Sequence, residues 1–291
     1  MILTARIPAT VANLGPGFDA LAMAVELFNE VRLDTGAEPA VVVKGEGAGE
    51  LPEDATNLIF KTMSFVSHET GGALPPFRLE CGNAIPLERG LGSSAAAVVA
   101  GVLLADRLLD TKLDPDRLLE IAVDLEGHPD NVAACLRGGL VIAYLSREGW
   151  RAERLGPHPS LRPVVLVPKD ERIPTSDARR VLPREVPLQD AAFNAGRSAL
   201  AVLALTERPE LLPDALEDRL HQGRRLPLAP ATRAMFEELR SKEVAVCVAG
   251  AGPSLLAFET DERRVPDLGP GWDVLRLQPS ASGADVVLED R

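Results

Sequence analysis

Two periods of apolar and polar residues run along the chain. β-Branched residues alternating with polar ones at 25–34 and 40–44 predict strands, and 77–81, 138–146, 162–168 and 244–248 read the same way. Shorter segments at 273–277 and 285–288 read as edge strands. Helical spacing takes over at 57–68, after the capping cluster Asp54-Ala55-Thr56, and again at 95–109, an alanine-rich run interrupted only by Gly101. Asp114 as N-cap with Pro115 at the first position starts a helix to about residue 125. Pro174-Thr175-Ser176-Asp177 opens one to 182, and 188–206 forms the longest. Pro8, Gly15, Pro16 and Gly17 make 5–19 a structured loop; Gly149, Gly156, Pro157 and Pro159 make 147–160 a turn-rich connection. A boundary near Leu155 divides the chain into domains at 1–155 and 156–291, a length that suits two.

Composition narrows the function. Hydrophobic residues at 46% and charged residues at 25% are an ordinary globular balance. No apolar run is long enough to span a bilayer, and the first ten residues, with one Arg and then Pro8, do not form a signal peptide, so a cytoplasmic protein without membrane partners is expected. The net charge of −12 argues against a nucleic-acid surface, which needs clustered Lys and Arg. An anionic substrate must then be held by local dipoles and a few arginines. Cys81, Cys135 and Cys247 are far apart and lie in no CxxC pair, which supports neither a zinc site nor a disulfide framework.

The chemistry concentrates just before the alanine-rich helix, in Pro86-Leu87-Glu88-Arg89-Gly90-Leu91-Gly92-Ser93-Ser94-Ala95-Ala96-Ala97. Glycines that allow close backbone approach, two serines and a helix start together make a phosphate site: unpaired N–H groups and the positive end of the helix dipole face the anion. The loop is not a Walker A loop, since no Lys lies between 62 and 111. Read by residue type alone, the same stretch is also a small-residue helix start with a serine N-cap.

This stretch resembles the phosphate loop of the GHMP kinases, a superfamily that includes galactokinase, homoserine kinase, mevalonate kinase and phosphomevalonate kinase. PATVANLGPGFDAL at 8–21 is similar to the N-terminal signature of the homoserine kinase family, with Ala22 where that family often has Gly. EGHPDNVA at 126–133, followed by Gly138-Gly139, resembles its second signature. HQGRRLPLAP at 221–230 resembles its HQxxRxxLxP segment, with Gly223-Arg224 where the family often has Pro-Tyr, and GAGPS at 250–254 resembles the third GHMP motif. The likeness covers nearly the whole chain in order.

The resemblance implies a two-domain α+β GHMP kinase fold. Its N-terminal, ATP-binding domain is like the second domain of ribosomal protein S5, and its C-terminal domain is ferredoxin-like and completes the substrate site. It implies ATP-dependent phosphorylation of the L-homoserine hydroxyl to O-phospho-L-homoserine, in threonine biosynthesis. Pro86, Gly90, Leu91, Gly92, Ser93, Ser94, Ala95 and Ala96 then bind ATP. Asn57 joins them near the adenine, or is simply a helix-start polar residue. Asn13 and Asp19 take the substrate ammonium, Arg197 and Arg225 its carboxylate, and His128 and Asn131 face it. Ser94 and Glu120 ligate Mg²⁺, with Glu126 as the second choice of carboxylate; by residue type alone Glu120 and Asp124 are also ordinary solvated helix acids. Mevalonate-type relatives place an Asp where Asn131 falls. A neutral amide cannot take a proton, so the expectation is catalysis by positioning, with Asp19 or His128 in a minor role. Two rivals stand beside this reading: another GHMP small-molecule kinase, of mevalonate or shikimate type, and a catalytically silent binding protein of the same fold. A homodimer is the assembly carried forward.

Overall fold

Strand-forming segments from both ends of the chain build the larger of two sheets. The computed structural model describes residues 1–289. The sheet contains β1 (Ile2–Ala12), β2 (Leu21–Asp34), β3 (Ala40–Gly45), β4 (Arg78–Asn83), β5 (Leu140–Ser146) and β6 (Gly149–Leu155), with the last strand, β11 (Asp285–Glu289), on its edge. The order is β11-β1-β2-β4-β3, and β5 pairs with the start of β2 and carries β6 outside it. Only β3 and β4 run parallel.

Four helices accompany this sheet: α1 (Leu58–Glu69), α2 (Ser93–Leu109), α3 (Pro115–Glu126) and α4 (Pro129–Arg137). Helix α2 is the alanine-rich run of the sequence and is buried nearly all round. Gly101 sits where α1 crosses it: a Cβ there would stand 2.6 Å from Thr62 Cβ and 2.9 Å from the Ile59 carbonyl oxygen. That close approach explains a glycine in an interior that otherwise favours alanine. Asp114 caps α3 through the amides of Asp116 and Arg117, as its sequence predicts.

The second sheet contains β7 (Pro163–Pro168), β8 (Ala245–Val248), β9 (Leu255–Phe258) and β10 (Trp272–Arg276). Its order, β10-β7-β9-β8, is fourth-first-third-second and fully antiparallel, the order of a ferredoxin-like sheet. Between β7 and β8 run α5 (Thr175–Arg180), α6 (Leu188–Thr206), α7 (Leu212–Ala215), α8 (Gln222–Arg225) and α9 (Pro230–Ser241). Among the described residues no helix is long and apolar enough to cross a membrane.

Three expectations change. Residues 5–12 are not loop but the second half of β1. Pro8 is tolerated inside a sheet because the register slips between Pro8 and Ala9, and because β11 ends its pairing at Arg6. Residues 149–155 form β6, which a two-residue turn, Arg147-Glu148, folds back on β5; Trp150 and Ala152 pack against the core while Arg151, between them, pairs with Asp116 and Glu120 of α3, an alternation masked by the Gly and Pro around it. The break at Leu155 coincides with the end of β6, but 156–291 does not stay in one unit, because β11 crosses back to pair with β1.

Candidate active site

The loop before α2 owes its shape to two glycines in the left-handed region. Gly92 (φ 73°) is the N-cap of α2 and supplies no side-chain oxygen to the first turn. Neither serine caps the helix, contrary to the plain reading of a serine-capped start, so the amides of the first turn stay open to an anion. A Cβ on Gly92 would lie 2.1 Å from Thr10 Oγ1 and 3.1 Å from Asn131 Oδ1.

Gly90 (φ 73°) lies against the loop after β8. A Cβ there would stand 2.1 Å from the Ala249 carbonyl oxygen, and one on Gly250 would stand 2.8 Å from the Gly90 oxygen. The two glycine motifs, remote in sequence, thus meet backbone to backbone between the two sheets. We expect Gly90→Ala to cost about 3 kcal/mol, because backbone must move as well as adopt a strained φ. Gly49→Ala, also at positive φ but with nothing within 4 Å of a Cβ, should cost about 1 kcal/mol. Urea unfolding of the two variants checks this; equal losses would refute the interlock.

A cavity of about 270 Å³ opens in front of this loop. Pro86, Gly90, Leu91, Gly92, Ser93 and Ser94 line it, as the sequence predicts. Ser93 and Ser94 also line a neighbouring cavity of about 310 Å³, together with Ala96, Asn57, Leu51 and Pro52. Ala95 lines neither and is wholly buried, so only its amide can serve a ligand. Asn57 is the N-cap of α1: its Oδ1 accepts from the Ile59 amide at 3.0 Å and its Nδ2 donates to the Pro52 carbonyl at 2.9 Å.

The metal ligands need a correction. Glu120 stands 3.3 Å from Arg117 Nη1 and 3.8 Å from Arg151 Nη1, against the β5–β6 turn, and lines neither cavity. Glu126, two residues before His128, is the carboxylate that reaches the loop: its Oε2 accepts from Ser94 Oγ at 2.8 Å. Gly127, in the left-handed region, ends α3 and turns the chain there. Burial raises the Glu126 pKa, against the opposing pull of His128 and Ser94. A buried carboxylate beside a hydroxyl at the phosphate loop suits Mg²⁺, which takes hard oxygen ligands and shares them with phosphate.

His128 stands between Glu126 Oε1 (3.8 Å from Nε2) and Asp130 Oδ1 (3.4 Å from Nδ1). Asp130 Oδ1 also accepts from the Asn131 amide at 2.8 Å, and His128 Nδ1 itself forms no hydrogen bond. Burial opposes protonation of His128, yet the two flanking carboxylates raise its pKa. Asn131 accepts from Thr10 Oγ1 at 2.8 Å and donates from Nδ2 to Asp130 Oδ1 at 3.5 Å, which leaves one amide hydrogen on offer.

At the far wall, Asp19 is held in a bidentate pair by Arg179 of α5, at 2.8 and 3.1 Å. Asn13, in the left-handed region, donates to the Gly250 carbonyl at 2.9 Å and accepts from the Asp19 amide at 3.0 Å. So Asn13 shapes the wall with both ends of its amide engaged. Arg225 is 3% exposed; its Nη1 donates to the Gly250 carbonyl at 2.9 Å, and burial, then Arg179, lower its pKa to about 10.

Arg197 is not at the site. Its guanidinium lies over Phe193 and points to Glu217 (3.6 Å) and Asp214 (3.9 Å). Asn194, one turn earlier on α6, faces the site loop instead and donates to the Pro16 carbonyl at 3.3 Å. Arg89 also lines the cavity, and the arginine that pairs with Asp19 there is Arg179, which sequence reasoning passed over. The one signal was its place a turn into the short helix opened by Thr175. Thr10 was missed for the opposite reason, since it lies inside a strand misread as loop.

Residues 57–139 match the family of GHMP kinases N terminal domains. A homoserine kinase from Streptomyces avermitilis is 45% identical over 97% of this chain and 94% of its own, and one from Streptomyces coelicolor is 43% identical over 97% and 93%. The crystal structure of a homoserine kinase from Cytophaga hutchinsonii superposes with a TM-score of 0.84 at 28% identity, covering 98% of this chain and 97% of that one.

Proposed function

We propose, from the premise that this chain belongs to the homoserine kinase family of the GHMP kinases and is an ATP-dependent kinase, that phosphoryl transfer takes place in the cavity before α2. The reaction is phosphorylation of the L-homoserine hydroxyl to O-phospho-L-homoserine, in threonine biosynthesis. The observation that carries the site assignment is a pairing of two features across one cavity: an uncapped helix start with Ser94 and Glu126 on one wall, and Asp19, Arg179 and Arg225 on the other.

ATP lays its adenine in the neighbouring cavity between Asn57, Leu51 and Pro52. Its triphosphate follows Ser93 and Ser94, which belong to both cavities, onto the α2 amides. Ser94 and Glu126 would hold Mg²⁺, which would neutralise phosphate charge when bound. Homoserine sets its ammonium toward Asp19 and its carboxylate toward Arg179 and Arg225. A planar guanidinium fork suits a carboxylate better than an ammonium would. Asn131 and His128 then flank the hydroxyl, with the second N–H of the Asn131 amide turned to the phosphoryl in transfer.

No strong base is required. Asp19 is engaged by Arg179 and turned to the substrate ammonium, and the carboxylates beside His128 favour its protonated form. Phosphoryl transfer depends mainly on alignment and charge neutralisation, so this arrangement is sufficient. Amino-acid biosynthesis implies a cytoplasmic enzyme acting on small molecules, and sedimentation would test the expected homodimer.

A panel of acceptors with MgATP, read by coupled ADP release, tests the reading. Homoserine should turn over, and mevalonate and shikimate should not. 4-Hydroxybutyrate, which lacks the ammonium, should show a KM about a hundredfold above that of homoserine. Equal use of homoserine and 4-hydroxybutyrate would remove Asp19 from the ammonium site.

A further inference from the structure

His221 belongs to the segment that carries Arg225, yet nothing in the scheme above uses it. It is 1% exposed, on the turn before α8. Its Nε2 stands 2.7 Å from the Gly15 carbonyl and its Nδ1 stands 3.1 Å from Arg225 Nη1. A carbonyl only accepts, so Nε2 carries the proton and Nδ1 is left to accept from the arginine. The Phe18 ring packs on the histidine at 5.4 Å between centroids, tilted by 36°.

The arginine it serves is unusual for a buried cation. Among the described residues no carboxylate lies within 4.0 Å of Arg225. Its contacts are neutral: the Gly250 carbonyl at 2.9 Å, the Ala178 carbonyl at 3.4 Å and His221 Nδ1. Asp218 is the nearest candidate counter-ion on the same turn, but its oxygens already accept from the Asn194 side chain and the amides of Leu220, His221 and Gln222. Arg179, by contrast, is paired with Asp19.

We propose that His221 is a positioning residue: a neutral acceptor that aims the Arg225 fork into the cavity while leaving its charge uncancelled for the substrate carboxylate. This rests on the carboxylate reading of Arg225 given above. An acidic residue at 221 would orient the arginine equally well, but it would neutralise the charge that the substrate needs. A neutral imidazole does one without the other, and burial, which lowers the His221 pKa, keeps it neutral.

Two variants separate this role from a merely structural one. In His221→Asn the amide oxygen can take the Nδ1 position facing Arg225, and the bond to Gly15 is lost. In His221→Gln the amide NH₂ can reach the Gly15 carbonyl, and the acceptor facing Arg225 is lost. Steady-state kinetics should show the homoserine KM raised about tenfold in His221→Gln and no more than about threefold in His221→Asn, with the ATP KM unchanged in both. The reverse order, an equal rise in ATP KM, or loss of the fold in both variants by circular dichroism would overturn the proposal in favour of a structural role. Arg225→Ala is measured beside them. If it raises the homoserine KM while neither His221 variant does, the positioning role alone fails. If it leaves that KM unchanged, the carboxylate reading fails and takes the inference with it.

Discussion

Glu126→Ala is expected to lower kcat about a hundredfold and to raise the Mg²⁺ concentration needed for half-maximal rate, with the homoserine KM little changed. The argument is one of reach. Glu126 is the carboxylate bonded to Ser94 at the start of α2, where the triphosphate would lie, and its pKa is raised because burial leaves its charge without a full counter-ion. A divalent cation beside it would supply that charge and be held there with one hydroxyl and the phosphate oxygens. Glu120→Ala is the control. Its carboxylate faces Arg117 and Arg151 on a half-exposed surface, where such pairs contribute roughly 0–1 kcal/mol. Turnover and magnesium dependence should therefore match the parent. A magnesium defect in Glu120→Ala and none in Glu126→Ala would reverse the assignment.

The second large effect concerns the arginines. Arg225→Ala should raise the homoserine KM about a hundredfold through loss of charge-assisted bonds to the carboxylate, with a smaller change in kcat. The same change also leaves the Gly250 and Ala178 carbonyls and His221 Nδ1 without this donor, so stability should fall by about 1–3 kcal/mol. A buried guanidinium whose pKa is lowered to about 10 holds no strong native ion pair, so that loss comes from the unpaired acceptors and not from a broken charge pair. Arg179→Ala should act in the same direction and also release Asp19 from its bidentate pair, loosening the ammonium end. Arg197→Ala should leave the homoserine KM within about twofold, since its partners are Asp214 and Glu217 on the outer side of α6. Isothermal titration with homoserine in the presence of a non-hydrolysable ATP analogue would rank the three. Equal losses for Arg197 and Arg225 would contradict the placement.

Local sequence was informative wherever the relevant physics is local. The glycines and the alanine-rich run placed a tight loop at the head of α2, Asp114-Pro115 placed the start of α3, and the uninterrupted apolar spacing at 188–206 gave α6 to the residue. The same holds for Asn13, Asp19, His128, Asn131 and Arg225. These stand in short motifs whose turns aim them at the cavity, so knowing the motif was nearly enough to know the address. The hairpin of β5 and β6 was less legible, because turn residues on both sides hid a short alternation that only pairing with β5 makes into a strand.

Long-range packing decided the rest. Helical spacing fixes which residues share a face but not which face meets another part of the chain. Glu120 and Glu126 lie on one helix, and only the way the end of α3 meets the start of α2 brings the second to Ser94 and leaves the first among arginines. Arg179 and Arg197 are both arginines on helices of the second half. The fold set α5 over the cavity beside Asp19 and turned the Arg197 side of α6 toward α7. The return of β11 to β1 and the interlock of Gly90 with Ala249 depend likewise on contacts between residues far apart in the chain, and a contact of that kind leaves no periodic trace in either partner. The sequence by itself therefore determined the glycine-serine loop and the helix behind it; the tertiary structure alone determined which carboxylate and which arginines stand beside them, because those contacts join residues far apart in the chain.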